Sequence, residues 1–287
     1  MKEIVVISGK GGTGKTSITA ALSYLGGKDV VVADCDVDAA DMHLLMQPDF
    51  SNKEKFYSGY LATVDKDKCT NCDKCIEVCR FDAISYVDGK ININELNCEG
   101  CGYCAEICPE KAITLETRYV GDWYISKIKT GGTMVHARLG IGAENSGKLV
   151  AKIKNEAKTI ASSEHKEIIL IDGSPGIGCP VVSSLSGANY AIMVTEPTVS
   201  GVHDLKRVHQ LVKKFSIPSG CIINKADLND LITKQIKEYL ELENINLIAE
   251  LPYDETFTEA MVNGKTIVEY NHSSLKCKMV ESWEKIK

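Results

Sequence analysis

Eight cysteines in the middle of the 287-residue chain form two copies of one spacing. The stretches CTNCDKCIEVCRFDAISY and CEGCGYCAEICPEKAITL begin at Cys69 and Cys98, and each contains C-x2-C-x2-C-x3-C. Three thiolates at this spacing can each bind one iron of a cubane, while the fourth cysteine reaches a second cluster. The spacing therefore predicts two [4Fe-4S] clusters. One would be bound by Cys69, Cys72, Cys75 and Cys108, and the other by Cys98, Cys101, Cys104 and Cys79.

This cysteine-rich region of about fifty residues resembles the bacterial two-cluster ferredoxins. Pro109 follows Cys108 as in that family, whereas Arg80 stands in the equivalent position after Cys79. Zinc is the alternative, because C-x2-C pairs also bind zinc, and a disulfide framework suits a reducing compartment less well. Residues 65–116 contain eleven acidic and six basic side chains. Such a surface would suit a basic redox partner, or it is simply a solvated face.

A glycine-rich loop near the amino terminus has the spacing of a phosphate-binding site. The sequence GKGGTGKTS follows the apolar run IVVIS, and Gly9, Gly14, Lys15 and Thr16 satisfy G-x4-G-K-[ST]. Backbone N–H groups and a helix N-terminus would bind phosphates, Lys15 would reach the β and γ oxygens, and the Thr16 hydroxyl would bind Mg²⁺. The predicted nucleotide-binding residues of the loop are Gly11, Gly12, Thr13, Gly14, Lys15, Thr16 and Ser17.

A second lysine in the loop, Lys10, is not part of the generic motif. With it, GKGGTGKT resembles the deviant Walker A motif of the MinD/ParA superfamily, which includes nitrogenase iron protein and Mrp-type nucleotide-binding proteins. The resemblance implies that Lys10 is catalytic and reaches the nucleotide of a partner subunit. It also implies a nucleotide-sandwich dimer, formed with a second copy or with a related chain, in which hydrolysis depends on assembly.

Two further stretches resemble the switches of the same superfamily. VVADCDVDAAD resembles switch I, so Asp36 would orient the attacking water with Asp34 nearby, although these acidic residues could simply cap a strand end. IILIDGSPGIGCP resembles the Walker B and switch II region. By that resemblance Asp172 would hold Mg²⁺ through water, and Gly176 would lie near the γ-phosphate.

Residues after two later strands are candidates for contact with the base. IINKADL offers Asn224, and its N-K-x-D pattern also resembles the guanine-reading motif of GTPases, in which Asp227 would pair with the base. The loop ELPYD, with Pro252, would flank the base. The other motifs favour ATP and ADP over guanine nucleotides.

The elements that position these residues alternate along the chain. Apolar runs at 4–7, 30–33, 168–171, 190–194, 221–223 and 247–249 read as strands, with helical patterns at about 15–25, 201–215 and 229–241. This alternation predicts the α/β fold class: a doubly wound, mainly parallel sheet of the P-loop NTPase type. Stretches at 57–64 and 119–128 read as strands that lead into and out of an inserted α+β ferredoxin-like domain. The predicted domains are residues 1–64 with 117–287, and residues 65–116.

Four cysteines lie outside the repeated spacing. Lone cysteines are most often small buried side chains, so Cys35, Cys221 and Cys277 are predicted to be buried. Cys179 follows Asp172 in the switch II stretch, where burial or contact with the insert is expected and a bridging cluster is the alternative. In the carboxyl-terminal stretch, the apolar spacing predicts a helix that faces the core. Its core residues would be Leu275, Met279, Trp283 and Ile286.

Charge and composition narrow the functional classes. The net charge is −6 and no basic stripe is present, so neither nucleic acid nor an anionic membrane is an expected partner. The first residues form a strand pattern and not a secretory signal, which predicts a cytoplasmic protein. The leading hypothesis is an ATPase that couples nucleotide-driven changes to electron transfer through two clusters to an unidentified redox partner. A cluster assembly or delivery ATPase and a spatial organiser like ParA or MinD are the alternatives.

Overall fold

The computed structural model describes residues 1–140, 142, 146–270 and 274–287. The chain divides into two compact units. The large unit comprises Met1–Glu54, Asp122–Leu139 and Ser146–Lys287, and the small unit comprises Lys55–Gly121 and Gly140–Asn145. Both boundaries predicted from the sequence, at 64/65 and 116/117, fall within the small unit.

Most strands of the described chain belong to one nine-stranded sheet, in the order β11-β10-β9-β1-β8-β2-β7-β6-β3. The strands are β1 (Lys2–Ser8), β2 (Val30–Asp34), β3 (Asn52–Val64), β4 (Ile84–Val87), β5 (Lys90–Ile93), β6 (Ile113–Lys127), β7 (Thr133–Leu139), β8 (Ile168–Pro175), β9 (Tyr190–Thr195), β10 (Ser219–Ile223) and β11 (Asn246–Glu250). In the small unit, β4 and β5 form a separate antiparallel pair.

Helices connect the strands and cover the sheet. They are α1 (Lys15–Gly26), α2 (Met42–Met46), α3 (Lys74–Val78), α4 (Tyr103–Glu106), α5 (Ser146–Ser163), α6 (Cys179–Leu185), α7 (Val199–Lys214), α8 (Asp230–Leu242), α9 (Thr256–Val262), α10 (Ile267–Tyr270) and α11 (Ser274–Ile286). In the large unit, α1 packs against α2, α10 and α11, whereas α5 packs against α6. Within the described ranges, no helix is both long and apolar enough to cross a membrane.

The centre of the sheet is parallel, as predicted. β1 pairs in parallel with β8 on one side and with β9 on the other, and β2 pairs in parallel with β8. These central strands are apolar at nearly every position because helices cover the sheet. Ile4, Val6, Val32 and Leu170 are all at most 1% exposed. Since parallel strands share a carboxyl edge, the loops that follow β1, β2, β8, β9 and β10 meet at one edge of the sheet.

Six predicted strands (β1, β2, β8, β9, β10 and β11) and three predicted helices (α1, α7 and α8) are confirmed, whereas β7 and α5 are among the elements that had no counterpart in the predictions. The signal for α5 was present in the sequence. Leu149, Ile153, Ala157 and Ala161 recur every four residues, and all four are fully buried. Such spacing is that of one helix face.

The final helix α11 faces the core, as predicted. Leu275, Met279, Trp283 and Ile286 are buried. The prediction that Cys277 is buried is wrong, because this side chain is exposed. Two residues beyond Leu275, it lies on the opposite side of α11. The predictions of burial for Cys35 and Cys221 are confirmed.

A buried histidine in the large unit lies within an aromatic cluster. His136 on β7 is 4% exposed, stacks on Tyr124 with ring centroids 5.0 Å apart, and meets the edge of Phe50. Its Nε2 is 2.9 Å from Ser126 Oγ. Burial, together with the nearby His43 and against the opposing charge of Asp49, lowers the pKa of His136 to about 4. The imidazole is therefore neutral in the folded protein at neutral pH.

We expect His136 to make the large unit lose stability on acidification. Between pH 6.5, the ordinary pKa, and pH 4, the folded pKa, His136 is protonated in the unfolded chain but neutral in the folded chain. The free energy of unfolding therefore falls as the pH falls, by roughly 3 kcal/mol across this window. His136→Phe should flatten that part of the profile, and exposed His165→Gln should not. Urea titrations between pH 4 and 7, followed by fluorescence of Trp123 and Trp283, both in the large unit, measure this. An unchanged slope in His136→Phe would refute the assignment.

Candidate functional site

The glycine-rich loop lies between β1 and α1, at the carboxyl edge of the sheet. Gly12 and Gly14 have φ values of 78° and 89°, a region that side chains with a Cβ rarely adopt. A Cβ on Gly14 would lie 2.5 Å from Asn224 Nδ2. Gly11 and Gly12 are exposed, and Ser17 lies in the first turn of α1. The loop thus presents its backbone toward any ligand at the start of α1.

Lys15 is the first residue of α1 and is surrounded by carboxylates. Its Nζ lies 2.9 Å from Asp172 Oδ1 and 3.1 Å from Asp36 Oδ2, and the lysine is 6% exposed. Thr16 Oγ1 donates to Asp172 Oδ2 at 2.8 Å, and Thr19 Oγ1 donates to Asp172 Oδ1 at 2.9 Å. The structure therefore brings together the candidate phosphate lysine and both candidate Mg²⁺ residues, Thr16 and Asp172.

The electrostatics of this cluster follow from burial. Burial alone would lower the pKa of Lys15, but the charges of Asp172 and Asp36 outweigh it and hold the pKa above its ordinary value. Burial, with the neighbouring Asp172, raises the pKa of Asp34 well above normal. Burial also raises the pKa of Asp36, against the opposing charge of Lys15. Three carboxyl groups therefore share one lysine, and a divalent cation bound beside them would favour their ionised forms.

Two buried polar atoms at this edge have no hydrogen-bond partner among the described residues. They are Thr13 Oγ1 in the loop and Asp34 Oδ2 at the end of β2. Buried polar atoms are normally paired, so such orphans indicate a place where a ligand or its hydration supplies partners. Asp34 Oδ1 accepts from the Asp36 backbone N–H at 3.2 Å, which fixes the Asp34 side chain against the loop that carries Asp36.

The candidate base-binding residues occupy the loops after β10 and β11. Asn224 is 5% exposed and donates from Nδ2 to the Thr13 carbonyl at 2.9 Å, so it contacts the phosphate loop directly. Asp227 Oδ1 accepts from the Tyr253 backbone N–H at 2.6 Å. Asp227 and Pro252 both line a shallow cavity, which also includes Lys237 and Lys278. Asp227 thus fastens the loop that carries Pro252.

The second lysine of the loop is bound within its own chain. Lys10 Nζ lies 2.6 Å from Glu196 Oε1, 3.2 Å from Thr198 Oγ1 and 3.0 Å from Ser200 Oγ. Sequence reasoning did not identify Glu196 or Thr19 as site residues. Glu196 directly follows β9 at the carboxyl edge of the sheet, where ligands bind in this fold class, and this position could have marked it as a candidate site residue.

The stretch after β8 carries Gly176 and Cys179. Gly176 has φ 89°, and its N–H donates to the Ser8 carbonyl at 2.8 Å, beside the phosphate loop. Ser174 Oγ donates to the Cys35 carbonyl at 2.8 Å, which links this stretch to the loop after β2. Cys179 begins α6 and is exposed, so burial, one of the two settings expected for it, is wrong, while contact with the insert stays a prediction.

The eight repeated cysteines line two cavities within the small unit. One cavity is lined by Cys69, Cys72, Cys75 and Cys108. The other is lined by Cys79, Cys98, Cys101 and Cys104. Each cavity takes three cysteines from one repeat and one from the other, and all eight thiols are free. The walls are otherwise largely apolar, with Ile91 and Ile113 at the first cavity and Ile84 and Phe81 at the second.

The thiols of the small unit have a mixed environment. Burial, together with neighbouring cysteines, raises the pKa of Cys104 to about 11, and burial raises that of Cys75. The Ala112 backbone N–H donates to Cys108 Sγ at 3.3 Å. Within the described part of the chain, no group of three or more His, Cys, Asp or Glu side chains is arranged to hold a single metal ion.

A glycine-rich loop between a central parallel strand and a helix, with a lysine and an acidic residue from a neighbouring strand, is the nucleotide site of a P-loop protein. Residues 4–267 match the family described as CbiA, the CobQ/CobB/MinD/ParA nucleotide binding domain, and the chain belongs to that family. It is a P-loop ATPase of the MinD/ParA type.

Individual relatives agree with this placement. An uncharacterized protein of Methanocaldococcus jannaschii is 37% identical over 235 residues, which is 80% of each chain. An uncharacterized ATP-binding protein of the same organism is 25% identical over 257 residues, covering 87% of this chain and 75% of that protein. The septum site-determining protein MinD of Pyrococcus horikoshii, solved with Mg-ADP, has a similar fold. Its TM-score is 0.61 at 21% identity, with 100% of this chain and 96% of that one covered.

Removal of Lys15 should destabilise the nucleotide-free protein as well as weaken nucleotide binding. Lys15→Ala leaves Asp36 and Asp172 without their buried cation, which typically costs about 3–5 kcal/mol. Urea denaturation gives the stability, and titration with a fluorescent ATP analogue gives the affinity. The exposed Lys28→Ala is the matched control and should change neither. An unaltered free energy of unfolding in Lys15→Ala would contradict the role assigned to this ion pair.

Proposed function

We propose that this ATPase carries two [4Fe-4S] clusters in its small unit and couples its nucleotide state to electron transfer with a partner protein. The observation that carries the proposal is the crossed arrangement of the eight cysteines, four around each of two cavities. Clusters of this type transfer single electrons when bound. The inserted ferredoxin-like domain, residues 65–116 in the sequence prediction, is part of the same proposal.

The residues present fit such clusters better than they fit zinc. Cys69, Cys72, Cys75 and Cys108 would hold one cluster, and Cys98, Cys101, Cys104 and Cys79 the other. A cubane spreads its four thiolates around several irons, whereas one tetrahedral zinc ion draws four thiolates to a single centre, and the C-x2-C-x2-C-x3-C spacing of both repeats is that of the cubane. Apolar walls exclude water, and the Ala112 N–H donor at Cys108 Sγ is of the kind that adjusts cluster potential.

The nucleotide side of the proposal rests on competition for Lys15. Its ammonium is held by Asp36 and Asp172. Phosphate oxygens would draw Lys15 away from these carboxylates, and Mg²⁺ would take Thr16 and Asp172 as neighbours. Asp36 lies in the loop after β2 and Asp172 begins the stretch that leads to Gly176, so both loops would respond to the γ-phosphate. Asp36, once released, would be free to orient water.

The assembly and setting of the ATPase belong to the same proposal. By its family, the active form would be a nucleotide-sandwich dimer in the cytoplasm, with ATP and ADP as ligands and a separate redox protein as partner. The reducing cytoplasm suits a chain whose twelve cysteines are all free. Asn224, which donates to the Thr13 carbonyl, would contact the base. Asp227 and the loop that carries Pro252 would flank the same base.

One observation favours a second function, cluster assembly or delivery. Cys179 is exposed at the first residue of α6, directly after the stretch that would respond to nucleotide. A pair of such thiols, one from each subunit of a dimer, would supply two of the four thiolates that a transient cluster takes. Cys179→Ser should then abolish transfer of iron to an apo-acceptor while it leaves resident iron unchanged.

Anaerobic purification should yield about eight iron atoms per chain, the content of two cubanes. Cys72→Ala and Cys101→Ala should each halve this content and remove different signals from the electron paramagnetic resonance spectrum. Because the cavities take crossed ligands, Cys108→Ala should match Cys72→Ala, and Cys79→Ala should match Cys101→Ala. Exposed Cys277→Ala serves as the control and should retain full iron. Zinc in place of iron, or full iron in Cys72→Ala, would overturn the cluster assignment.

Coupling to nucleotide should be visible as a change in cluster potential. An anaerobic redox titration is expected to differ by tens of millivolts between nucleotide-free protein and protein saturated with a non-hydrolysable ATP analogue and Mg²⁺, where about 59 mV is a tenfold change for one electron. Lys15→Ala, which binds nucleotide poorly, should show no difference at the same nucleotide concentration. If the wild-type titrations with and without nucleotide superimpose, the proposed coupling is refuted, and the protein is an ATPase that carries clusters without coupling them to nucleotide.

A further inference from the structure

One carboxylate, that of Glu196, joins two lysines at the nucleotide edge of the large unit. Its Oε1 lies 2.6 Å from Lys10 Nζ in the phosphate loop, and its Oε2 lies 3.0 Å from Lys225 Nζ, in the residue after Asn224. The Glu196 side chain is 12% exposed. Burial alone would raise the pKa of Glu196, but hydrogen bonds and charge from Lys10 and Lys225 outweigh it and lower the pKa. The group is therefore charged at neutral pH.

The contacts of Lys10 use its whole hydrogen-bonding capacity. An ammonium has three N–H donors, and in this chain Glu196, Thr198 Oγ1 and Ser200 Oγ accept from them. A phosphate can therefore contact Lys10 only by replacing these acceptors. Thr198 and Ser200 are weak competitors because they are neutral, so the charged Glu196 is the acceptor that must be displaced.

Lys225 lowers the free energy needed to displace Glu196 from Lys10. A partly buried carboxylate that loses its only cation is strongly destabilised. When Lys10 leaves, Glu196 keeps Lys225 on its other oxygen, so no charge is left unpaired. The ion pair between Lys10 and Glu196 can therefore break and re-form without a large loss of stability in the rest of the fold.

We propose that Glu196 is a positioning residue for ATP hydrolysis, which holds Lys10 away from the nucleotide phosphates and must release it before the reaction. Lys225 sets the strength of this hold by sharing the carboxylate. Glu196, Lys10 and Lys225 all belong to the large unit, so this hold on Lys10 does not depend on the iron–sulfur clusters. This contact within one chain limits the fraction of time in which Lys10 can reach a nucleotide phosphate.

Two substitutions should move the rate in opposite directions. Glu196→Gln removes the charge that holds Lys10, so kcat at saturating Mg·ATP should rise about threefold to tenfold as the competent fraction increases. Lys225→Met leaves Glu196 with Lys10 alone, tightens the hold and should lower kcat by a similar factor. Glu243→Gln, at a partly exposed carboxylate paired with Lys213, is the matched control and should leave kcat unchanged.

The role of Lys10 in both effects is tested by double variants. Lys10→Ala should be slow, and adding Glu196→Gln or Lys225→Met should change its rate no further. A loss of rate in both single variants, or a gain from Glu196→Gln that persists without Lys10, would overturn the proposal. Melting temperatures accompany each rate. If Glu196→Gln fails to fold, the Lys225→Met substitution alone tests the mechanism. It should lower kcat in the wild-type chain but not in Lys10→Ala, and a decrease of kcat in the Lys10→Ala background would refute the mechanism.

Discussion

The buried ion pair between Lys15 and Asp172 is the contact on which the nucleotide site depends. Asp172 is completely buried on β8, and a buried carboxylate without a cation would cost several kcal/mol. Lys15 begins α1, so the pair fastens the start of this helix to a strand far away in sequence. Both ends of the glycine-rich loop are then fixed, one by β1 and one by Lys15. The backbone of the loop is held open for phosphate by its surroundings, and its left-handed glycines allow that shape.

The residues that could be predicted from the sequence are those whose geometry is local. Strand, loop and helix follow one another around residues 9–17, so the motif alone positions Lys15 and Thr16. Glu196 could not be predicted in the same way, because its contact with Lys10 requires β9 to lie beside β1. Apolar runs identify strands but not their order in the sheet. Likewise Asn224 was a candidate for the base, but its bond to Thr13 depends on the placement of β10.

The cysteines show the same distinction. The repeated spacing predicts which four thiols would bind each cluster, because in the ferredoxin arrangement the fourth cysteine of each repeat reaches the other cluster. The same two sets of four line the two cavities. The isolated cysteines had no such constraint. Cys35 and Cys221 lie at or beside buried strands, whereas Cys277 lies on the outer side of α11 and Cys179 at the exposed start of α6. Burial of a lone cysteine depends on which face of its element it occupies, and composition does not report that.

The position of β1 between β8 and β9 also sets the order in which the chain can fold. Lys2 pairs with Ile168 and Ile4 with Tyr190, so the first strand waits for partners made well over a hundred residues later. Contacts of such high sequence separation are slow to form. During synthesis from the amino terminus, residues 55–121 of the small unit leave the ribosome before β8 exists, and domains generally fold as units. The cysteine-rich unit can therefore acquire its structure while the strand that begins the protein is still unpaired and open to aggregation or chaperone binding.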